Sequence, residues 1–221
     1  VVVPHQNWVR EVTKEGVDLY ELLKAALRQR PNYIIVGEIR GREGNVAFQA
    51  MQTGHPVIST FHAGSVEKLI QRLTGDPIDV PKTYIDNLNA VIIQSAVRHP
   101  KTGRMERRVL SINEMLGYDT VEDRFDFIEL FSWDSATDTF IYRGEGSSFL
   151  LEEKIAVMRG IPESKVRAIY AELEKRREII ERFVQMELFD YWELWSAIKA
   201  TYAMGVDKAL QKLKAGVKFW A

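Results

Sequence analysis

The chain has 221 residues, and its 30 Lys and Arg against 31 Asp and Glu give a formal net charge of −1. This balance excludes the overall positive charge that is typical of nucleic-acid-binding proteins. The absence of cysteine excludes disulfides and cysteine zinc sites and agrees with a reducing compartment. The length allows one or two domains with a sizeable core. The longest apolar runs are shorter than the roughly 18 residues that a membrane helix needs.

The first predicted helix leads directly into a short apolar strand. Asp18 and Glu21 have the spacing of a capping box, and Pro31 stops the helix. Residues 33–36 form an uninterrupted apolar run rich in β-branched side chains, which is typical of a strand buried on both faces in a parallel sheet. Glu38 lies just beyond the end of this strand.

The same pattern is repeated further along the chain. A helix is predicted over residues 43–53, with Gly54 as its C-terminal glycine, and a second short strand over residues 55–60 follows. Ser65 is a good N-cap for a third helix, which ends at Gly75. This alternation of helices and short apolar strands predicts an α/β fold with a largely parallel sheet.

Glu38 and His62 are the candidate functional residues of these segments. Each follows a predicted strand, and the carboxyl ends of parallel strands meet at one edge of a sheet, so both side chains are expected to face one bound phosphate. A carboxylate there can polarise an attacking water or reach a magnesium ion, and an imidazole can donate a hydrogen bond to a phosphoryl oxygen. The alternative for Glu38 is a solvated acid at the end of a core strand.

Two ordered motifs resemble those of a known family. ALRQRPNYIIVGEIRGRE (26–43) resembles the helix and Walker B strand of the ring-forming secretion ATPases, which drive type II secretion, type IV pili, type IV secretion and the archaellum. TGHPVISTFHAGS (53–65) resembles the histidine box of that family. VPHQNWV (3–9) and TFHAGS are most similar to its archaeal branch. The ordered pair of motifs is more specific than either motif alone.

The resemblance implies the C-terminal part of a RecA-like P-loop ATPase core. Glu38 would stand at the position of the catalytic glutamate and reach Mg²⁺ through a water molecule, and His55 and His62 would sense the γ-phosphate of ATP. The implied assembly is a homo-hexamer that works with a polytopic membrane platform protein and binds no nucleic acid. It would be cytoplasmic and peripheral, at the inner face of the cell membrane.

Arginines near the two motifs are candidates for contacts across a subunit boundary. An arginine can reach the phosphates that a neighbouring subunit binds, as arginine fingers do. Arg40 matches the GEIR segment of the family. For Arg28 and Arg30 the alternative is pairing with the negative end of a helix. The candidates are Arg28, Arg30, Arg40 and Arg42.

The chain departs from the family in two ways. No glycine is followed directly by lysine, so the G-x-x-x-x-G-K-[ST] phosphate loop is missing. In the family this loop precedes the region seen here, so we expect a piece of a longer ATPase that is inactive alone. The tetracysteine zinc insert of bacterial type II ATPases is also missing, which favours an archaeal or pilus-type relative.

Antiparallel hairpins are predicted after the second motif. Residues 90–97 and 105–116 form one hairpin around HPKTGR, and residues 125–133 and 138–144 form another. We expect these strands to extend the parallel sheet. His5 and His99 do not have metal-ligand spacing to the histidines of the box, so no metal site is expected there.

A helical subdomain is predicted over residues 149–221, after a partial ATPase core over residues 1–148. Breaks are expected at residues 160–162, near Asp190 and at Gly205. An aromatic cluster follows the second break and is interpreted as core, with a surface for docking a partner as the alternative. Its members are Phe189, Tyr191, Trp192, Leu194 and Trp195.

Three functions are compatible with these patterns. The first is the C-terminal portion of a ring-forming ATPase that couples ATP hydrolysis to assembly or export of pilin-like, archaellin-like or secreted substrates. The second is a non-catalytic fragment that mediates ring assembly or docking to the membrane platform protein. The third is an unrelated α/β enzyme in which Glu38 and His62 catalyse another hydrolysis.

Overall fold

The computed structural model describes residues 7–220. His5 and the first residues of the VPHQNWV motif lie outside the described residues. The chain divides into two compact units, the first ending at Gly144 and the second beginning at Glu145. In the second unit, as in the first, none of the described helices combines the length and apolar character that a membrane crossing requires.

Helices and short strands alternate in the first half of the first unit, which confirms the α/β pattern. Asp18 begins the first helix by accepting a hydrogen bond from the backbone N–H of Glu21 at 2.9 Å. Ser65 begins the third by accepting from the N–H of Lys68 at 3.3 Å. The elements are α1 (Leu19–Arg28), β1 (Ile34–Val36), α2 (Glu43–Gln52), β2 (Val57–Ser59) and α3 (Val66–Thr74).

The two strands β1 and β2 form a parallel pair that is buried on one face only. Ile34 and Val36 lie in the hydrophobic core, whereas Ile35 and its cross-strand partner Ile58 are exposed. The expectation of a strand buried on both faces is therefore wrong for the described residues. The reason is that the core of this unit gathers on the side of Ile34 and Val36.

The later strands form an antiparallel sheet of their own, in the order β3-β4-β5-β6. Both predicted hairpins are confirmed, but the expectation that they extend the parallel sheet is corrected. Each strand pairs with its immediate neighbour in sequence, and such local pairing costs little loop-closure entropy. The strands are β3 (Ala90–Arg98), β4 (Met105–Asp119), β5 (Arg124–Asp134) and β6 (Thr139–Tyr142).

The second unit is helical, with the predicted breaks. Asp190 caps the helix after the second break through the N–H of Trp192 at 3.0 Å, and Gly205, with φ +88°, separates the last two helices. A π-helix, Leu150–Ile155, runs into α4 (Ala156–Met158), and α5 (Ala168–Gln185), α6 (Tyr191–Met204) and α7 (Val206–Lys214) follow.

Three aromatic residues of the cluster at the start of α6 are not core, whereas Leu194 packs against the core. The side chains of Phe189 and Trp192 are 70% and 60% exposed, and Tyr191 is also exposed. The core of this unit is built instead from Ile179, Phe183, Leu188, Ala197, Ala209, Leu210, Leu213 and Trp220. The interpretation of the cluster as core is therefore wrong for these three aromatic residues, because other side chains already fill the interior.

Candidate functional site

The candidate site lies at the carboxyl ends of β1 and β2. Hydrogen bonding between the two segments continues past the strands, since the N–H of Ile39 donates to the carbonyl oxygen of Thr60 at 3.1 Å. The Thr60 hydroxyl in turn donates to the carbonyl oxygen of Gly37 at 2.6 Å. These two bonds hold the loop that carries Glu38 beside the loop that carries His62.

Glu38 contacts two charged or polar partners through different oxygens. Arg40 donates from Nη2 to Glu38 Oε2 at 2.6 Å. Oε1 lies 3.0 Å from His62 Nε2, but the contact lacks hydrogen-bond geometry, and Oε1 is buried without a hydrogen-bond partner among the described residues. The side chain of Glu38 is 24% exposed and that of His62 is 82% exposed. One carboxylate oxygen is therefore occupied, and the other can accept a hydrogen bond.

The surrounding charges keep the Glu38 carboxyl ionised. The hydrogen bond from Arg40 lowers the pKa of this carboxyl, partial desolvation opposes the effect, and the positive charges of Arg40, His62 and Arg72 lower the pKa further. A carboxyl with a low pKa is a weak base. Glu38 is therefore suited to orienting a water molecule by accepting its hydrogen bond, which is the kind of positioning that phosphoryl transfer needs.

The loop of His62 is anchored by Arg72 on α3. The Arg72 guanidinium donates to the backbone carbonyl oxygen of His62. It also lies over the ring of Phe61, 4.8 Å from the ring centroid. Arg72 thus fixes the backbone of the histidine while the imidazole stays exposed. Sequence reasoning missed this residue, since an arginine in the last turn of a helix has an ordinary explanation.

The loop of Glu38 is anchored by Glu43, the first residue of α2. Glu43 is buried, with only 8% of the residue exposed. Its Oε1 accepts hydrogen bonds from the backbone N–H groups of Arg40 at 2.6 Å and Gly41 at 2.8 Å. Sequence reasoning also missed this role, although an acidic residue in the first turn of a helix is the signal of such a bond.

The structure does not bring all the predicted site residues together. His55 precedes β2, at the opposite end of that strand from His62, and its Nδ1 lies 3.2 Å from the Thr53 hydroxyl. Arg28 ends α1, and Arg30, with φ +51°, lies between α1 and β1. Both arginines therefore precede β1, whereas Glu38 follows it. Glu38, Arg40 and His62 therefore meet, whereas His55, Arg28 and Arg30 lie elsewhere.

Arg42 points away from the carboxylate of Glu38. Its guanidinium donates to Asp18 Oδ2 at 2.9 Å and lies over the ring of Tyr20, 4.5 Å from the ring centroid. The two arginines that follow Glu38 therefore have different partners within the same chain. Arg40 contacts the candidate site, and Arg42 ties the loop to the start of α1.

The donor set fits a magnesium ion only in a limited way. Residues 7–220 contain no group of three or more His, Asp or Glu side chains that could hold a metal ion. Mg²⁺ in nucleotide sites is commonly bound through one or two carboxylates, with water and substrate phosphates as the other ligands. Glu38, with its free and ionised oxygen, fits one such carboxylate contact, made directly or through water.

Comparison with known proteins shows the family. The model of the type II/IV secretion system protein family matches residues 2–174. The chain belongs to this family. The suspected resemblance to secretion ATPases is thereby confirmed, and the interpretation as an unrelated α/β enzyme is excluded.

Relatives of this family member include archaeal and bacterial proteins. Over 210 residues it is 49% identical to the uncharacterized protein MJ0900 of Methanocaldococcus jannaschii, covering 92% of this chain and 37% of the relative. Over 183 residues it is 42% identical to MJ1287 of the same organism, covering 80% and 65%. Over 128 residues it is 32% identical to the type IV pilus assembly ATPase PilB of Pseudomonas aeruginosa, covering 57% and 22%. The chain therefore spans only part of the length of these relatives.

Proposed function

We propose that this chain supplies the Walker B and histidine-box part of the ATP-hydrolysis site of a ring-forming motor ATPase. The observation that carries the proposal is the contact of Glu38 with Arg40 and His62 at the carboxyl ends of two parallel strands. The family membership and the relative named as a pilus assembly ATPase support it. ATP with Mg²⁺ supplies the phosphoryl group and part of its charge neutralisation.

The residues of this chain have separate tasks in the proposed reaction. Arg40 holds Oε2 of Glu38, and Oε1, which is buried beside His62 and has no hydrogen-bond partner among the described residues, accepts a hydrogen bond from the attacking water once the imidazole turns toward the phosphate. His62, which is exposed beside this oxygen, donates a hydrogen bond to the terminal phosphoryl group and so senses its presence. Positioning of this kind is the main protein contribution in phosphoryl transfer.

Residues outside this chain complete the site in our proposal. The chain has no G-x-x-x-x-G-K-[ST] loop, and such a loop provides most of the phosphate contacts in this class. The relative MJ0900, of which this chain spans 37%, has room for it. We therefore assign residues 1–148 to a partial RecA-like core and residues 149–221 to a helical subdomain, and we expect the 221-residue chain alone to bind no ATP.

The proposed assembly is a homo-hexamer at the cytoplasmic face of a membrane, where it moves a polytopic platform protein and drives assembly or export of pilin-like, archaellin-like or secreted substrates. Arg40 is already engaged with Glu38 in its own chain, so a contact with a neighbouring subunit requires it to exchange partners. Arg28 and Arg30 are exposed and form no ion pair with any residue in 7–220, which leaves them available for such a contact.

The test is the variant Glu38→Gln in a protein that includes the phosphate loop. The amide keeps the shape of the side chain but is a poorer acceptor for water and attracts Arg40 less. We expect ATP turnover to fall by about 10²-fold or more while Mg-ATP binding is retained. Glu21→Gln, which changes an exposed glutamate of α1, is the matched control. Normal turnover in Glu38→Gln would refute the catalytic assignment.

A second candidate function is an interaction fragment without catalysis. The exposed aromatic residues Phe189, Tyr191 and Trp192 favour it, because large exposed apolar side chains commonly mark a docking surface. The Glu38→Gln variant separates the two candidates, because a fragment without catalysis predicts unchanged ATP turnover. Calorimetry of the 221-residue chain with Mg-ATP tests both, since micromolar binding would reveal a phosphate site outside either candidate. Trp192→Ala is expected to weaken ring or platform association and to leave ATP turnover per assembled ring unchanged.

A further inference from the structure

Glu43 is a buried carboxylate that the proposed chemistry does not use. It begins α2, and the structure directs its Oε1 at two backbone N–H groups, those of Arg40 and Gly41, at 2.6 Å and 2.8 Å. Hydrogen bonds of an ionised acceptor are short and roughly twice as strong as neutral ones. The carboxylate therefore fixes the backbone of the loop that joins Glu38 to α2.

The start of α2 packs closely against this loop. A Cβ atom on Gly44 would lie 2.8 Å from Ile39 Cγ2 and 2.6 Å from Ile78 Cγ2, so only glycine allows this approach. A Cβ atom on Gly41 would lie 3.2 Å from Oε2 of Glu43. The close packing keeps Glu43 directly against the backbone that it holds.

We propose that Glu43 is a positioning residue for the catalytic carboxylate. By holding the N–H of Arg40 it sets the point from which the Arg40 guanidinium reaches Oε2 of Glu38, and so decides which oxygen of Glu38 stays free. This inference rests on the proposed function of Glu38. Glu43 touches no reacting atom, and its effect passes entirely through Arg40.

The role of Glu43 can be measured without ATP hydrolysis, through the carboxyl of Glu38. The charged groups that act on the Glu38 carboxyl are Arg40, His62 and Arg72, and the hydrogen bond of Arg40 has the largest effect in lowering its pKa. If Glu43 no longer holds the loop, the backbone of Arg40 is no longer fixed, and the hydrogen bond from its guanidinium to Glu38 weakens. The pKa of Glu38 then rises toward the ordinary range of a glutamate.

The experiment is an NMR titration of the Glu38 side-chain carboxyl carbon in the 221-residue chain. We expect Glu43→Ala and Glu43→Asp to raise the pKa of Glu38, since alanine has no acceptor and aspartate is one methylene too short. Glu43→Gln is expected to restore most of the native pKa, because its amide oxygen can accept both N–H groups. Asn45→Ala is the matched control, because it breaks a bond from α2 to the carbonyl oxygen of Asp79 without touching the loop.

Measurements of ATPase activity distinguish a failure of the positioning role of Glu43 from a failure of the proposed function of Glu38. In a protein that includes the phosphate loop, Glu43→Asp is expected to lower kcat by about 10-fold with little change in the KM for ATP, and Glu43→Gln to recover it. An unchanged pKa of Glu38 in folded Glu43→Asp would overturn the positioning role. Normal turnover in Glu38→Gln would instead overturn the proposed function, whatever the titration shows.

Discussion

His62 Nε2 lies 3.0 Å from Glu38 Oε1, so the ends of two parallel strands place an imidazole beside a carboxylate. The two side chains differ in how they are held. Glu38 is half-buried and accepts a hydrogen bond from Arg40, whereas the imidazole of His62 is exposed and Arg72 holds the backbone carbonyl oxygen of that residue. The carboxylate is thus fixed, and the imidazole can turn toward a ligand.

This difference leads to a prediction about the two histidines of the box. We expect His62→Ala to lower ATP turnover by about 10²-fold, because a donor to the phosphoryl group is lost. His55→Ala is expected to cause a much smaller loss, since His55 lies at the opposite end of β2. Steady-state rates of the two variants in a protein with the phosphate loop decide the question. A loss for His55→Ala as large as that for His62→Ala would contradict it.

Arg72 provides a second prediction. Arg72→Ala removes both the bond to the carbonyl oxygen of His62 and the stacking on Phe61, so we expect turnover to fall by about 10-fold with little change in the KM for ATP. Arg72→Lys keeps the charge but loses the planar stacking group, and it is expected to recover only part of the rate. Gln71→Ala, on the same helix, is the control. Full recovery by lysine would show that charge alone matters.

The sequence predicted the central residues of the site, Glu38 and His62, but not Glu43 and Arg72, which hold their loops. Glu38 and His62 could be paired because both follow short apolar strands, and parallel strands bring such positions to one edge. Glu43 has a signal, an acidic residue in the first turn of a helix, but this signal does not show which backbone groups the side chain binds. Arg72 binds the backbone of a loop ten residues earlier, and no spacing in the sequence reveals such a bond. The separation of His55 from His62 depends on the strand between them being straight and parallel to β1.

The helices, the parallel strand pair and the hairpins were predicted, but not the division of the strands between two separate sheets. Caps such as Asp18, Ser65 and Asp190 mark helix starts through local bonds, which are visible in a sequence. The assignment of strands to two separate sheets depends on long-range packing. The exposure of Ile35 has the same origin, because an apolar run shows that a strand can be buried but not whether another layer covers both of its faces.

Gly44 provides a prediction about stability. Gly44→Ala places a methyl group within 2.6 Å of Ile78 Cγ2 and 2.8 Å of Ile39 Cγ2, so the start of α2 must shift. We expect a loss of about 1–3 kcal/mol in the free energy of unfolding, the usual cost of overpacking. Gly64→Ala is the control, because its Cβ meets no atom within 4 Å. Denaturant unfolding of both variants measures the difference, and equal stabilities would show that the contact relaxes freely.

Asp138 joins the tips of two hairpins and provides a prediction about pH. It accepts two hydrogen bonds from Arg108, at 2.8 Å and 2.9 Å, and one from Trp133 Nε1 at 2.9 Å. These bonds, with the charges of Arg108 and His99, hold the pKa of its carboxyl well below the usual range. A lowered pKa in the folded state contributes stability above the unfolded pKa, and this stability is lost as the pH falls through the folded pKa.

We therefore expect Asp138→Asn to lower the Tm by several degrees at neutral pH, because the amide cannot match the bonds that the carboxylate makes to Arg108. The difference in Tm between Asp138→Asn and the unmodified chain should become smaller as the pH falls below about 4, where an unfolded aspartate becomes protonated. Asp126→Asn, which alters an exposed ion pair with Arg124 in the same sheet, should change the Tm little at any pH. Thermal unfolding followed by circular dichroism at a series of pH values gives the comparison. A Tm difference for Asp138→Asn that stayed constant down to about pH 2 would show that the ionised carboxylate is not the source of the stabilisation.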